Sequence, residues 1–574
     1  MTAERRSDPE EIGFLFEGRE IRCARGVSLA AALTAAGELE LRDAAAAGRR
    51  GLFCGMGVCQ ECRVNVDGRA GVRACMAAAE DALHVSRGTQ HVSTQADEHP
   101  VVGRNDIETL TPDILVIGAG PGGLVAASVA AEAGADVVVL DERSTRGGQY
   151  FKQPASAEVA HASLAGDRQY AEGKRLIERM LRSGARILSG AELWGAFAPN
   201  EFAVFDGERS TIYKPRCAIV ATGAYERGLP LPGWTLPGVM TTGAAQGLLR
   251  SYGTLPGKRI LVAGNGPLNL QVALELKRAG ADAVAVAELA TRPGPGSFVT
   301  ALRMGLSAPG LAVNGIRYLA GLMRSGVPVL YGQGLASVEK TPAGLKANVG
   351  PVGANGIEAT TSYDVDVVCM GYGFQPNNEI LRSLGCRHDY DERRGHLVTK
   401  RSAECETSVA GIYAIGDCAG FRGAASALQD GVIAATAAVQ SLHGSVPVEL
   451  EKRSRQAART RRRHERFQTA LWTLFAAPRF HAQLAAPDTP ICRCEDVRLR
   501  DIEAAIADDG YSVGTLKRLT RLGMGACQGR YCAPVAAHLI AARNGCPLDE
   551  FSYFAPRSPL KPIRIGDILA VADD

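Results

Sequence analysis

One run of residues, Asp113-Ile114-Leu115-Val116-Ile117-Gly118-Ala119-Gly120-Pro121-Gly122-Gly123, predicts a buried strand, a tight turn and the start of a helix. The G-x-G-x-x-G spacing shapes the turn, lets the backbone approach a pyrophosphate and packs the helix closely against the strand. The N-terminus of the helix would face the anion. A second strand, 137–141, ends in Asp141, which is spaced to bind a ribose hydroxyl, with Glu142 as the alternative. The run therefore predicts a dinucleotide-binding unit of the Rossmann type.

A second Rossmann motif follows, in which Arg259-Ile260-Leu261-Val262-Ala263 precedes Gly264-Asn265-Gly266-Pro267-Leu268-Asn269. Asn269 replaces the third glycine, so we expect weaker packing of helix on strand or a hindered approach to a pyrophosphate. Glu288 ends the next strand and would favour an unphosphorylated ribose. The candidate ligands of NAD are Gly264, Gly266, Pro267, Leu268 and Glu288. The alternatives are another nucleotide or a domain retained for structure alone.

Four cysteines near the start of the chain, Cys54, Cys59, Cys62 and Cys75, have the spacing C-x4-C-x2-C-x12-C. Four thiolates are the usual ligands of a [2Fe-2S] cluster, and a loop rich in glycine lets backbone amides approach the cluster sulfurs. A tetrahedral zinc site is the alternative. The long first gap and the glycines of the loop favour the cluster.

Four more cysteines lie near the end of the chain. Cys492, Cys494, Cys527 and Cys532 have the less stereotyped spacing C-x-C-x32-C-x4-C. They predict a second [2Fe-2S] cluster, and zinc is again the alternative. The other seven of the 15 cysteines are scattered, so we expect reduced core residues rather than disulfides.

Composition limits the class of protein. With 574 residues, 46% of them hydrophobic, the chain can form about three or four domains. A formal charge of +3 gives no reason to expect a nucleic-acid partner. The first residues lack the apolar region of a signal peptide, and no apolar stretch is long enough for a transmembrane segment. These observations predict a cytoplasmic protein.

Three further motifs resemble those of two-dinucleotide flavoproteins such as glutathione and thioredoxin reductases. They are the loop Gly147-Gly148-Gln149, the strand and turn Ile219-Val220-Ala221-Thr222-Gly223-Ala224, and the distal motif Gly411-Ile412-Tyr413-Ala414-Ile415-Gly416-Asp417. The resemblance implies FAD, held by Gly118, Gly120, Pro121, Gly122, Gly123, Asp141 or Glu142, Gly148, Gln149, Thr222, Gly223, Gly416 and Asp417. No redox Cys-x-x-Cys accompanies these motifs, so we do not expect a thioredoxin-reductase reaction. No hydrolytic triad or carboxylate pair stands out either.

The two ends of the chain carry resemblances of their own. The predicted hairpin of strands at 12–16 and 20–23 and the helix at 27–36, followed by the first cysteine quartet, resemble a β-grasp ferredoxin domain. The closely spaced fourth cysteine resembles that of hydrogen cyanide synthase small subunits and molybdenum hydroxylases. The segment Arg521-Leu522-Gly523-Met524-Gly525-Ala526-Cys527-Gln528-Gly529-Arg530 resembles the helical domain of bacterioferritin-associated ferredoxin, although the last two cysteines of that domain lie closer together.

We therefore predict a multidomain fold. It comprises a β-grasp [2Fe-2S] domain at 1–100, a discontinuous Rossmann-like FAD-binding domain at 110–240 and 362–446, an NAD-like domain at 241–361, and a basic helix with a helical [2Fe-2S] domain at 447–574. Residues 86–110 are predicted to be a polar linker. The segment Glu451–Phe467 carries Arg459, Arg461, Arg462, Arg463 and Arg466 on a predicted helix. We expect this helix to be solvated, and the alternative is a docking face for an acidic partner.

This order of domains resembles a fusion of the two smaller components of hydrogen cyanide synthase. It also resembles the α subunits of opine oxidase, D-hydroxyproline dehydrogenase and heterotetrameric sarcosine oxidase. The resemblance implies a separate β subunit of the D-amino-acid-oxidase fold that oxidises the substrate with its own FAD, and it raises the question of an FMN at the subunit interface.

Three functions remain open. The first is an electron-transfer subunit that relays electrons from an amino acid or amine to a respiratory acceptor, through which the chain could associate with the inner membrane. The second is a self-contained NADH-dependent reductase that feeds ferredoxin domains. The third is an iron-sulfur redox sensor.

Overall fold

The structure is a computed structural model that describes residues 11–44, 48–89, 108–156, 167–508 and 512–565. Its N-terminal part contains strands β1 (Glu11–Phe16), β2 (Arg19–Ala24), β3 (Arg42–Ala44), β4 (Gly48–Arg50), β5 (Arg63–Val66), β6 (Arg69–Arg73) and β7 (His84–Arg87), with helix α1 (Leu29–Ala35) after β2. Five of the strands form a sheet in the order β2-β1-β7-β5-β6. The predicted hairpin, helix and β-grasp fold are confirmed. Residues 86 and 87 belong to β7, so the linker prediction is wrong there. Residues 90–107 of that linker lie outside the described ranges.

The first Rossmann unit follows. It contains strands β8 (Thr109–Leu110), β9 (Ile114–Ile117), β10 (Val137–Asp141), β11 (Arg186–Ser189), β12 (Glu192–Ala198), β13 (Glu201–Phe205), β14 (Ser210–Tyr213), β15 (Cys217–Val220) and β16 (Ala224–Glu226), and helices α2 (Pro121–Glu132), α3 (Gly148–Phe151) and α4 (Arg168–Arg182). Strand β9 pairs in parallel with β10 and β15, and all four of its residues are buried. A parallel strand that is covered on both faces needs such a continuous apolar run. Residues 109 and 110 form β8 and are also not linker.

The second unit contains strands β17 (Val239–Thr241), β18 (Arg259–Gly264), β19 (Asp282–Glu288), β20 (Val329–Tyr331), β21 (Gln333–Thr341), β22 (Gly344–Pro351), β23 (Thr361–Val365) and β24 (Val367–Gly371). Its helices are α5 (Thr242–Tyr252), α6 (Pro267–Arg278), α7 (Phe298–Ser307) and α8 (Pro309–Arg324). A parallel sheet has the order β17-β24-β18-β19-β20.

Asn269 does not loosen the packing of this second unit, so that part of the expectation is wrong, and a hindered approach to a pyrophosphate stays a prediction. Its buried side chain accepts a hydrogen bond from the Thr242 hydroxyl at 2.9 Å and donates one to the Gly371 carbonyl at 2.9 Å. The amide therefore ties α6 to α5 and to β24. Hydrogen bonds provide here the close contact that a third glycine provides in other Rossmann turns.

The chain then completes the first sheet and ends in helices. The remaining strands are β25 (Phe374–Pro376), β26 (His388–Asp391), β27 (His396–Thr399) and β28 (Ile412–Ala414), and helix α9 (Glu379–Ser383) lies between β25 and β26. Five helices come after β28, namely α10 (Ala424–His443), α11 (Val448–Leu474), α12 (Leu499–Asp508), α13 (Val513–Thr520) and α14 (Ala533–Asn544). Strand β28 pairs with β15, which gives the order β11-β10-β9-β15-β28. Within the described ranges, no helix is both long enough and apolar enough to cross a membrane.

Helix α11 contains the predicted basic segment, but only part of its surface faces solvent. Arg459, Arg462, Arg463 and Arg466 are exposed. On the other side, Phe467 is buried, and Arg461 pairs with the fully buried Asp430 of α10 at 3.2 Å. The expectation of a merely solvated helix is therefore wrong for this face, because a buried carboxylate needs a cationic partner.

Candidate functional site

A cavity of about 1260 Å³ lies between the two Rossmann units. Nearly all of the predicted FAD residues line it, namely Gly118, Gly120, Pro121, Gly122, Asp141, Glu142, Gly148, Gln149, Thr222, Gly223, Gly416 and Asp417. Gly123 lies beneath the turn instead, where a Cβ would stand only 1.8 Å from the Gly118 carbonyl oxygen. The cavity is larger than the roughly 300–1,000 Å³ of common small-molecule pockets, as a dinucleotide would need.

Two glycine-rich turns of the first Rossmann unit, at 118–123 and 147–148, meet in the wall of this cavity. Gly148 has a positive φ of 61°, and a Cβ there would lie 2.8 Å from Gly120 Cα. Gly118 has a φ of 111°, and its Cβ would lie 2.5 Å from the Ala221 carbonyl oxygen. Side chains at these positions would push the turns apart and occupy space that a dinucleotide needs. The residues present therefore fit a bound dinucleotide.

The acidic residues of the cavity differ in their partners. Asp141 accepts hydrogen bonds from the amides of Ala119 at 2.8 Å and Arg143 at 2.9 Å, and burial raises its pKa. Asp417 accepts from the amides of Arg422 and Gly423 at 2.9 and 2.8 Å, and burial again raises the pKa. Both carboxyl groups thus hold their turns in place at the cavity wall.

Glu142, the alternative ribose ligand, makes ion pairs between domains. It pairs with Arg73 of β6 at 2.6 Å and with Lys561 near the end of the described chain. Burial acts to raise its pKa, but these two cations outweigh burial and lower the pKa to about 2. Arg73 also donates to the carbonyl of Gly57, in the first cysteine loop, at 3.2 Å. Glu142 therefore connects the cavity to the N-terminal domain.

A buried lysine and glutamate, which the sequence did not reveal, also line the cavity. Lys152 has a positive φ of 42°, and its Nζ donates to the Gly243 carbonyl at 2.8 Å. Glu226 accepts from the Gly243 amide at 2.7 Å. Burial lowers the pKa of Lys152 to about 7 and raises that of Glu226 to about 7. This pair can take up or release a proton near neutral pH. No local pattern marks it, because β16 and the start of α5 complete the site from a distance.

The glycine turn of the second Rossmann unit, at 264–269, opens into the same cavity through Gly266, Pro267 and Leu268. The other two predicted ligands, Gly264 and Glu288, do not line it. Glu288 is fully buried and accepts hydrogen bonds from the Gly266 amide at 2.9 Å and the Asn265 side chain at 2.7 Å. Its carboxylate is thus engaged by its own turn rather than directed into the cavity.

The first cysteine quartet is buried and arranged as two pairs. The thiols of Cys54 and Cys59 interact directly, and so do those of Cys62 and Cys75. The amides of Met56 and Cys59 point at the Cys54 sulfur, at 3.5 and 3.4 Å. Two pairs of thiolates with amides directed at sulfur suit a cluster that has two thiolates on each of two irons.

The second quartet shows the same pairing. Cys494 interacts with Cys527, Cys492 interacts with Cys532, and all four are buried. Each quartet therefore offers four buried thiols to a metal centre, and the choice between a [2Fe-2S] cluster and zinc at the second quartet stays a prediction.

The first quartet stands at the wall of the dinucleotide cavity. Cys54, Met56 and Val58 of its loop line the same cavity as the glycine turns. The Thr241 amide donates to the Phe53 carbonyl at 2.8 Å and so fixes the loop against β17. A cluster in this loop would be a direct neighbour of a cofactor in the cavity.

Comparisons with known proteins agree with this arrangement. Family models match for a 2Fe-2S iron-sulfur cluster binding domain at 9–90, a pyridine nucleotide-disulphide oxidoreductase at 112–441 and a sarcosine oxidase A3 domain at 489–572. An opine oxidase chain of Rhizobium meliloti is 31% identical over 461 residues, which cover 79% of this chain and 98% of that protein. The HcnB component of hydrogen cyanide synthase from Pseudomonas aeruginosa is 30% identical, over 78% of this chain and 96% of that protein.

Two further comparisons extend the set. The α chain of sarcosine oxidase from Rhizobium meliloti is 27% identical over 79% of this chain, which corresponds to 42% of that larger protein. The crystal structure of L-proline dehydrogenase from P. horikoshii has the same fold, with a TM-score of 0.70 and 19% identity over 99% of this chain and 98% of that one. The chain therefore belongs to the pyridine nucleotide-disulphide oxidoreductase family, and within it to the α-type FAD and [2Fe-2S] oxidoreductase subunits that include the opine oxidase relative.

Proposed function

We propose that this chain is the electron-transfer subunit of a heteromeric dehydrogenase that oxidises an amino acid or a secondary amine. The carbon–nitrogen bond is oxidised on a partner flavoprotein of the D-amino-acid-oxidase fold, and electrons leave this chain for a respiratory acceptor. The substrate class is that of the relatives, whose names refer to opines and sarcosine. The observation that carries the proposal is the cysteine loop at the wall of the FAD cavity.

Three cofactors follow from the donor sets. FAD would be held by the two glycine turns with Asp141 and Asp417, and one [2Fe-2S] cluster by each cysteine quartet. When bound, FAD supplies two-electron chemistry and each cluster supplies one-electron chemistry. The chain's own task is to hold these groups as neighbours, away from water, so that electrons can pass between them.

Lys152 and Glu226 would handle the protons. An electron can pass to an iron-sulfur cluster without a proton, so protons released at the cavity need an acceptor. The two side chains lie in the cavity wall and bind the carbonyl and the amide of the same residue, Gly243, and their pKa values near 7 suit them to hold one proton between them. They would therefore store a proton in the cavity while electrons leave.

A partner subunit is supported by an exposed apolar face on α7 and α8. Phe298, Leu302, Leu306, Ile316 and Met323 are 52–78% exposed. Exposed apolar side chains grouped on two consecutive helices point to an interaction site rather than to solvated helices. Other residues of the same two helices, among them Met304, Pro309 and Tyr318, line the cavity. A partner docked on these helices would therefore lie next to the cavity.

The test is purification of the chain from its native cell, with identification of bound proteins and a dye-linked assay against sarcosine, glycine, hydroxyproline and opines. We expect a second flavoprotein to co-purify and one substrate to reduce the complex. The double variant Leu302→Glu and Leu306→Glu should lose the partner but keep its own FAD and iron. The matched control Leu519→Glu changes another exposed leucine, on α13, and should keep the partner.

The self-contained reductase is a second candidate, favoured by the opening of Gly266, Pro267 and Leu268 into the FAD cavity. Anaerobic titration separates the two functions. Rapid bleaching of the flavin by NADH in a chain that purifies alone would establish the reductase. No bleaching by NADH, together with reduction by an amine in the presence of the partner, would establish the electron-transfer role.

A further inference from the structure

We propose that Tyr531 and Arg493 join the two cysteine quartets into one electron-transfer unit, in which the Tyr531 hydroxyl donates a hydrogen bond to a sulfur of the N-terminal cluster. This inference rests on the proposed function in one respect, because it requires a [2Fe-2S] cluster in each quartet. It adds a direct contact between the two quartets, and it adds a residue that changes the reduction potential of the N-terminal cluster.

The first observation is the position of Tyr531, the residue before Cys532. Its side chain is buried, and its ring packs edge-on against Phe53, the residue before Cys54, at 5.5 Å between centroids. The thiols of Cys54 and Cys59 in the other quartet act electrostatically on its hydroxyl, as do Tyr225 and Cys527. Through this ring contact, Tyr531 connects a cysteine segment of the C-terminal quartet to the loop of the N-terminal quartet.

The second observation is that the Tyr531 hydroxyl has no hydrogen-bond partner among the described residues. A buried hydroxyl without a partner costs about 1–3 kcal/mol. Iron-bound thiolates and bridging sulfides accept hydrogen bonds, and a cluster on Cys54 and Cys59 would bring such sulfurs into the surroundings of this hydroxyl. The N-terminal cluster would therefore supply the missing acceptor.

The third observation is a contact from the other segment of the C-terminal quartet. Arg493, between Cys492 and Cys494, places its guanidinium 3.9 Å from the ring centroid of Phe53 and 4.6 Å from that of Trp234. The same guanidinium reaches Glu61, between Cys59 and Cys62, at 3.4 Å. Each cysteine segment of one quartet thus sends a side chain to the loop of the other.

Electron exchange across this junction needs no bond to form or break. One ferrous iron is oxidised on one side and one ferric iron is reduced on the other, and no proton has to move. A hydrogen bond to cluster sulfur stabilises the more negative, reduced state and so raises the reduction potential. Tyr531 should therefore make the N-terminal cluster easier to reduce.

Two measurements on the purified full-length holoprotein test the proposal. Fully reduced protein should give an EPR spectrum split or broadened by interaction between two neighbouring clusters. Redox titration of Tyr531→Phe should show the reduced-to-oxidised ratio of the N-terminal cluster lowered about five- to tenfold at a fixed potential, where tenfold corresponds to about 59 mV for one electron. The variants Cys75→Ser and Cys527→Ser assign each signal, since each removes one ligand.

Tyr553→Phe is the matched control, because its hydroxyl is also buried and without a partner among the described residues but has no cysteine beside it. It should leave both potentials unchanged. An EPR spectrum that is the simple sum of two isolated clusters, or an unchanged potential in Tyr531→Phe, would overturn the proposal. Iron and sulfide analysis separates this failure from that of the proposed function: a quartet without a [2Fe-2S] cluster contradicts the cluster assignment itself.

Discussion

One buried histidine, His388, should contribute to the response of this protein to acid. The His388 side chain lies in the core, where its Nδ1–H donates to the Cys386 carbonyl at 2.7 Å and its Nε2 accepts from the Thr399 hydroxyl at 3.1 Å. Burial lowers its pKa to about 4. The neutral ring therefore satisfies both neighbours, and a proton on Nε2 would place a buried charge there and remove the acceptor of the Thr399 hydroxyl.

This residue predicts a loss of stability on acidification. Between about pH 6.5 and 4, the unfolded chain binds a proton at position 388 and the folded chain does not, so the free energy of unfolding falls as pH falls. The contribution is at most about 1.4 kcal/mol per pH unit. His388→Gln should flatten this slope. Urea unfolding at several pH values between 7 and 4.5 measures it, and an identical slope in the two proteins would contradict the prediction.

At the scale of elements, the two glycine turns around the cavity were largely predictable and their surroundings were not. Strands β9, β10, β18 and β19 follow from short apolar runs, and the FAD turns follow from glycine spacing, because both signals are local. The role of Asn269 depends on Thr242 and Gly371, and that of Lys152 depends on Gly243, so neither could be derived from neighbouring residues. Helix α11 was predicted, but its buried ion pair with α10 could not be predicted without the three-dimensional structure, because the two residues are distant in sequence.

Because the turns at Gly120 and Gly148 approach each other closely, a methyl group added at Gly148 should weaken FAD binding. Gly148→Ala places a Cβ against the Gly120 backbone and keeps a residue with a side chain at positive φ. The displaced turn should lower FAD affinity about tenfold, that is by about 1.4 kcal/mol, and the left-handed conformation should in addition lower stability by roughly 1–2 kcal/mol. The ratio of flavin to protein absorbance after dialysis measures this.

Gly247→Ala is the control for that variant. Gly247 lies inside α5, and an added Cβ there meets nothing within 4 Å. Alanine is the better helix former by up to about 1 kcal/mol, so flavin content should stay the same and stability should not fall. Equal flavin retention in Gly148→Ala and Gly247→Ala would mean that the close approach of the turns does not shape the FAD site.

At the scale of the whole molecule, a buried charge network fastens the N-terminal domain to the C-terminal one. Glu61 is completely buried and pairs with Arg42 at 2.8 Å and with Arg493 at 3.4 Å. Arg50 lies 3.8 Å from Glu61 and also pairs with Asp496. Burial alone would raise the pKa of Glu61, but the three arginines lower it. The domains are thus held in place by charges that are stable only when paired.

Glu61→Gln tests this network, because it leaves three buried guanidinium groups without their shared carboxylate. Removing one partner of a buried ion pair costs about 3–5 kcal/mol. The variant should therefore unfold at a lower temperature than the unmodified protein. Proteases should also cleave the chain that connects the two domains faster than they do in the unmodified protein. The control Glu38→Gln removes partly exposed pairs with Arg19 and Arg87, which are worth about 0–1 kcal/mol. If both variants unfold alike at equal iron content, the domains are joined by their apolar contacts and not by this network.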